Sequence, residues 1–353
     1  MKTYIRSTGN ISPQKTFGNT AFLEEPVEYT GNRLNCIEPD YKDIIDPKMI
    51  RRMSHIIRMG VAAGTICLKE AGIAVPDAII TGTAYGCLQD TDVFLTKMVE
   101  QNEELLTPTA FIQSTHNTIG AQIGLMLGSK NYNNAFVHRG FSFESALLDG
   151  IMLLMEDAAS NFLVGAIDEL TDNSHAILNR FGLYKREPGS NMDLYKTISK
   201  GTIAGEGAAF FLVAKEASGN DYAQLETMHS FYKPKDISET GKQVTDFLAA
   251  HSINISDIDL IITGRNGDTK NDLVYNKLGS NIFKNTKQVN YKHLCGEYPT
   301  STAFGLWLAA NIIKTGMIPA ALGMENKPGK IKRVLVYNHY QDIHHSLLLL
   351  SAC

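Results

Sequence analysis

The stretch Phe136-Val137-His138-Arg139-Gly140-Phe141-Ser142-Phe143-Glu144-Ser145-Ala146-Leu147-Leu148 is where this sequence could hold a nucleophile. It reads as an apolar approach, a tight turn and the start of a helix. A side chain on such a turn lies at a helix N-terminus, whose dipole favours a thiolate. The chain offers no thiol there, because no cysteine lies between Cys87 and Cys295. Ser142 is the available hydroxyl, in half of a G-x-S-x-G elbow with Glu144 where a glycine belongs. A serine in that place serves more often as the N-cap of the helix behind it.

Further polar groups follow two strands of the second half. Ile261-Ile262-Thr263 runs into Gly264-Arg265-Asn266-Gly267-Asp268-Thr269-Lys270-Asn271-Asp272, and later comes Lys292-His293-Leu294-Cys295-Gly296-Glu297. His344 and His345 adjoin at a strand start and so face opposite sides, with no third ligand to complete a metal site. No metal and no cofactor is expected. His116 reads as an interface or core residue, and Cys87 and Cys295 as small buried hydrophobes. The glycines of Gly201-Thr202-Ile203-Ala204-Gly205-Glu206-Gly207 suit a tight loop feeding the strand Ala208 to Val213. They form no phosphate loop, since no Lys-Ser/Thr pair and no helix follow.

These residues need a framework, and the apolar pattern supplies one. Strands are predicted near Tyr4 to Ser7, Ala78 to Thr81, Asn134 to Val137, Phe162 to Ile167 and Ala208 to Val213, the last two adjacent in the core. A turn is expected at Gly9 to Pro13. Helices are predicted over Pro47 to Ala71, Thr115 to Leu127 and Ser142 to Ala159, the first with Asp46 as N-cap, Pro47 at its first position and Gly72 as its stop. The second half repeats the scheme. Helices are expected over Thr240 to His251, after Asp272, and over Ser301 to Lys314. Strands are expected at Leu260 to Thr263, Gln288 to Tyr291, and in a closing pair at Val334 to Asn338 and Ser346 to Leu350. Two successive α/β halves predict a layered α/β/α/β/α architecture.

Bulk properties narrow the function. The 353 residues are 44% hydrophobic and 20% charged, as in an ordinary globular protein with a sizeable core. A net charge of -4 and the lack of a dense basic run exclude an electrostatic case for nucleic acid. Lys327 to Arg333 comes nearest and reads as a solvated loop. No apolar stretch matches a membrane span, and the N-terminal residues lack a signal-peptide core. Five widely spaced cysteines argue against a disulfide framework, so a reducing, cytoplasmic setting is expected.

The Gly201 to Val213 segment resembles the G-x-x-x-G-E-G-A-x-x-x-L-V motif of β-ketoacyl synthases. The likeness continues along the chain. Ile5 to Pro13 resembles the opening strand of that family, and Ile50-Arg51-Arg52-Met53 with Leu68 to Ile73 its first long helix. Gly82 to Gly86 and Thr107-Pro108 through His116-Asn117 to Gly128 follow in the family's order. The resemblance implies the α/β, thiolase-like, five-layered α/β/α/β/α fold of two similar halves, here residues 1–230 and 231–353, forming one intertwined, usually dimeric unit.

It also implies a cysteine, two histidines and a lysine, and this chain departs from most of them. Anchored on Ala146-Leu147 and Leu163 to Ala166, the cysteine slot falls at Gly140, give or take one residue. The H-G-T-x-T motif is replaced from Asn266 onward, and K-x-x-x-G-H retains Lys292 and Gly296 but has Glu297 in the histidine slot. The glycine-rich phenylalanine loop is replaced by Asn338 to His345. Without a thiol there is no acyl-enzyme, and an amide with a carboxylate cannot replace two imidazoles. The resemblance therefore points to a chain-length-factor-like, inactive ketosynthase subunit of the aryl polyene or flexirubin type. Its expected partners are an active ketosynthase paralogue, through the Thr115 to Gly128 helix and the Asn134 to Val137 strand, the acyl chain, and indirectly acyl carrier protein. Two other readings stay open: a serine-dependent acyltransferase or thioesterase using Ser142, and a homodimeric acyl-binding module.

Overall fold

A computed structural model of the chain describes residues 2–18, 22–187, 189–324 and 331–353. In the expected Lys327 to Arg333 loop, residues 327–330 lie outside the described residues, and Arg333 already begins a strand.

The first half opens with β1 (Thr3–Ile11) and the two-residue strands β2 (Thr30–Gly31) and β3 (Arg33–Leu34). Helices α1 (Pro47–Ile50) and α2 (His55–Ala71) lead to β4 (Ala78–Gly82). Three helices follow, α3 (Leu88–Glu100), α4 (Pro108–Gln113) and α5 (Thr118–Leu127), and then β5 (Tyr132–Phe136). After the elbow come α6 (Ser142–Met155), β6 (Asn161–Asp168), α7 (Asp172–Arg180), β7 (Gly189–Ser190), β8 (Ala204–Gly205) and β9 (Gly207–Ala214). The second half comprises β10 (Ala223–Tyr232), α8 (Ile237–Ala250), β11 (Leu260–Thr263), α9 (Asp272–Ser280), β12 (Lys287–Asn290), α10 (Lys292–Cys295), α11 (Thr302–Thr315), β13 (Arg333–Tyr340) and β14 (His344–Ser351).

The strand order shows the duplication. Outward from the centre, one half runs β1-β9-β6-β4-β5 and the other β10-β14-β13-β11-β12. In each, the first two pairings are antiparallel and the last two parallel. The halves join where Thr3, Tyr4 and Ile5 pair antiparallel with Leu225, Gln224 and Ala223. The hydrogen-bonded ladder is thus one ten-stranded sheet, not two separate sheets.

Five layers still result, because alternate residues of each strand enter different cores. In β4, Ile80 points to the inner core and Ile79 to the outer one, and in β13 Val336 and Leu335 divide likewise. The inner core holds α6 and α11 between both sets of strands. Helices α2 and α5 cover the first half's outer face, and α8 and α9 cover the second's. Helix α11 is buried over Thr302–Ile313, as a helix wrapped on all sides must be.

Several boundaries moved for physical reasons. The Pro47 to Ala71 helix is two helices: Asp46 caps the first, Ser54 is extended, and Met53 turns into the outer core between them. Gly72 ends α2 in the left-handed conformation, as expected. The turn at Gly9 begins only after Ile11, since Gly9, Asn10 and Ile11 continue the ladder with Phe210, Ala209 and Ala208. Helix α6 stops at Met155 because Asp157 is left-handed and the Ala158 N–H returns to the Leu153 carbonyl at 2.9 Å.

Candidate active site

The elbow follows β5, an edge strand that leads straight into it. Arg139 adopts φ 48°, a left-handed conformation costly for a side chain of its size. Residues Arg139–Phe141 make one tight helical turn ahead of α6. Ser142 does not cap α6, contrary to expectation: its Oγ accepts from the His138 N–H at 2.8 Å and donates to the Arg139 carbonyl at 2.8 Å. Fully buried, it closes the turn behind it. No histidine side chain among the described residues hydrogen-bonds to it.

Gly140 is buried against the β13–β14 hairpin. A β-carbon built on it would lie 2.7 Å from Tyr340 Cβ and 2.9 Å from His344 Cβ. Phe141 meets the His344 ring edge-on at 4.8 Å. Gly140, where the sequence reading sets the cysteine position, and its neighbour Phe141 are therefore covered by the hairpin.

Asn266 and Glu297, which the sequence reading sets in the two histidine positions, come together. Asn266 Nδ2 donates to Glu297 Oε2 at 2.7 Å, and Lys292 Nζ donates to Glu297 Oε1 at 2.6 Å. Lys292, wholly buried, also donates to Ser301 Oγ. Asp272 fixes the loop before it, accepting from the backbone N–H groups of Asn266 at 2.9 Å and Gly267 at 3.0 Å and from Arg265 Nε at 3.0 Å. Thr202 completes the hold by donating to the Asn266 carbonyl at 2.6 Å.

The glycine motif does more than feed a strand, which corrects the sequence reading. The Glu297 N–H donates to the Ile203 carbonyl at 2.7 Å, and the Gly205 N–H to the Glu297 carbonyl at 3.1 Å. A β-carbon on Gly205 would lie 2.0 Å from the Cys295 carbonyl oxygen, while Gly296 sits at φ 74°. Glycine on both sides lets the two backbones touch, and that contact places Glu297. Glu206 then staples the surroundings, accepting from the Cys36 and Leu170 N–H groups at 3.0 and 2.9 Å.

A cavity of about 490 Å³ opens in front of Asn266 and Glu297. Tyr85, Tyr184 and Tyr340 are among its walls, and the exposed Lys200 and Lys270 stand on its rim. None of residues 138–142 is among those that line it. Two carboxyls in its wall are raised by burial, Asp168 to about 6 and Glu169 to about 7. Asp168 is a structural acceptor, taking hydrogen bonds from Thr83, Ala84 and Thr300. Glu144, in the first turn of α6, is buried with no hydrogen-bond partner of good geometry, and burial raises its pKa.

The other singled-out groups are accounted for. Cys87 and Cys295 are fully buried, and burial pushes both thiols far up. His116 is exposed beside the start of α5. His345 is buried on Tyr337, with Tyr337 Oη and His345 Nδ1 3.0 Å apart, and His344 faces the elbow. Among the described residues no His, Cys, Asp and Glu cluster could hold a metal ion. No helix among them is long and apolar enough to cross a membrane. The cavity's tyrosines and Lys185, which donates to Ser199 Oγ at 2.7 Å and the Gly267 carbonyl at 2.9 Å, went unrecognised in the sequence. Their spacing forms no motif, and only the fold gathers them.

Comparison with known proteins agrees with this geometry. Residues 35–183 match the family described as β-ketoacyl synthase, N-terminal domain. No curated protein matches the sequence. A β-ketoacyl synthase from Burkholderia phymatum superposes with a TM-score of 0.84 at 13% identity, covering 100% of this chain and 99% of that one. The ishigamide ketosynthase/chain length factor gives 0.81 at 15% identity, again over 100% and 99%. The ketosynthase ApeO in complex with its chain length factor ApeC, from Xenorhabdus doucetiae, gives 0.79 at 16%, over 99% and 98%. At these identities the structural likeness is one of fold. Residues 35–183 are thus similar to the N-terminal domain of β-ketoacyl synthases, and the whole chain shares the thiolase-like fold of solved ketosynthase structures.

Proposed function

We propose that this chain is a non-catalytic, chain-length-factor-like subunit that pairs with an active β-ketoacyl synthase in polyketide- or fatty-acid-type chain elongation, of the aryl polyene type. One observation carries the reading. The groups in the two histidine slots bind each other, Asn266 and Lys292 each donating to one oxygen of Glu297. One amide N–H and both carboxylate oxygens are engaged within the protein, and neither an amide nor a paired carboxylate supplies an imidazole-like acid or base to a substrate. The elbow without a thiol supports the same conclusion.

Pairing is supported by the surface. β5 is the edge of the ten-stranded sheet and presents unpaired backbone groups. Around it Leu125, Val137, Leu148, Met152 and Met155 are exposed apolar residues, a grouping of the kind that marks interaction sites. One of the similar structures is a ketosynthase in complex with its chain length factor, and another is described as a ketosynthase/chain length factor. In this reading acyl carrier protein serves the active partner, and this chain borders the growing acyl group.

The test is co-expression with catalytically complete ketosynthases, followed by condensation assays with malonyl and acyl thioesters. We expect a stable heterodimer with one of them, product from the heterodimer, and none from this chain alone. Condensation by the chain alone, or failure to form a stable complex with every ketosynthase encoded beside it, would overturn the proposal.

A further inference from the structure

The tip of the β13–β14 hairpin stands between two spaces that a condensing enzyme would need to connect. On one side, Tyr340 lines the cavity in front of Asn266 and Glu297. On the other, its Cβ and that of His344 abut the space a Gly140 side chain would take, at 2.7 and 2.9 Å. These are atoms next to the backbone and cannot swing aside. The His344 ring then covers Phe141 at 4.8 Å.

The hairpin is also braced against movement. Gln341 and Asp342 both have left-handed φ, 55° and 54°, in a tight turn that suits Asp342 and is costly for Gln341. The Asp342 N–H donates to His339 Nδ1 at 3.0 Å, and Tyr340 Oη lies 3.4 Å from Tyr85 Oη. Strain of this kind persists where the surroundings over-determine it.

We propose that Tyr340 and His344 are occluding residues: the hairpin tip closes the elbow off from the cavity and excludes acyl groups from it, whatever residue stands in the nucleophile's place. The inference rests on the reading of the chain as acyl-inert and adds a cause separate from the missing thiol. Restoring the thiol is then insufficient.

The test introduces that thiol in the full chain as Phe141→Cys, alone and combined with Tyr340→Ala and His344→Ala. The probe is octanoyl-N-acetylcysteamine; the introduced thiolate would attack its thioester carbonyl and expel N-acetylcysteamine, which leaves as the thiol. Peptide mass spectrometry reads acylation at position 141 separately from the native cysteines. Trimming the hairpin is expected to speed acylation there by at least about tenfold, as access through local opening predicts. Equal rates in the two variants, or a folded triple variant that stays inert, would overturn the inference. Should circular dichroism show the triple variant unfolded, Phe141→Cys is compared with Phe141→Cys/His344→Ala, with equal rates again the overturning result. Neither result depends on partner binding or on condensation by the unaltered chain, so the two proposals fail separately.

Discussion

The Lys292–Glu297 pair sets the stakes at the scale of single residues. Lys292 is wholly buried, and Glu297, 2.6 Å away, is the carboxylate that compensates its charge. Glu297→Ala strands that charge and is expected to cost about 3–5 kcal/mol in urea denaturation. Lys292→Met with Glu297→Gln removes both charges and keeps an acceptor for Asn266, so it should cost clearly less than the single change. Additive costs would contradict the idea that the pair is held for mutual compensation. Glu144 presents the opposite case, a buried carboxyl without a cation of its own. Burial raises its folded pKa, so its stabilising contribution is present below the ordinary carboxyl range and is lost as pH rises through the raised value. Glu144→Gln should therefore raise Tm at pH 8, with the gain fading toward about pH 4. A gain independent of pH would show that titration of Glu144 is not its source.

At the scale of elements, the hairpin and the elbow are coupled by shape, so the smallest side chain should already be felt. Gly140→Ala forces a methyl against Tyr340 and His344 and is expected to cost about 1–3 kcal/mol in the same denaturation assay. Gly189→Ala, with open space around it, should change stability by less than about 0.5 kcal/mol. How far the sequence disclosed this arrangement depended on what each element buries. β11 was legible to the residue because the apolar run Leu260–Ile262 and the β-branched Thr263 stand between Asp259 and Gly264. Helix α3 escaped notice because none of its residues is buried, and its Val93, Leu95 and Val99 remain exposed. β10 was missed because Gln224, Glu226 and Ser230 interrupt its pattern along a partly exposed strand. At the site, ordered motifs disclosed Asn266, Lys292 and Glu297 as one group. The sealing of Gly140 by Tyr340 was not legible, because it is a contact between distant segments that leaves no spacing to read.

At the scale of the whole molecule, an unpaired edge strand and apolar residues on both sides of it give the chain a surface with an unmet need. Leu125 on α5 and Met152 on α6 flank β5 from the sheet's two faces and are 73% and 48% exposed. If this surface receives a ketosynthase partner, a charge at either position opposes association without touching either core. Leu125→Glu combined with Met152→Glu should weaken the heterodimer by at least about tenfold, as expected when central apolar contacts are lost. Ile177→Glu, on α7 and also exposed, should leave affinity unchanged. Isothermal titration of the purified partners gives the affinities, and thermal melts of each isolated variant show whether its fold is intact. Unchanged affinity in the doubly charged variant, with an intact fold, would place the partner on another face and remove the role assigned to β5. Weakened binding with an unaltered melt would mean that this edge is kept for pairing, and that the ketosynthase-like framework outlives its chemistry because the partner needs it.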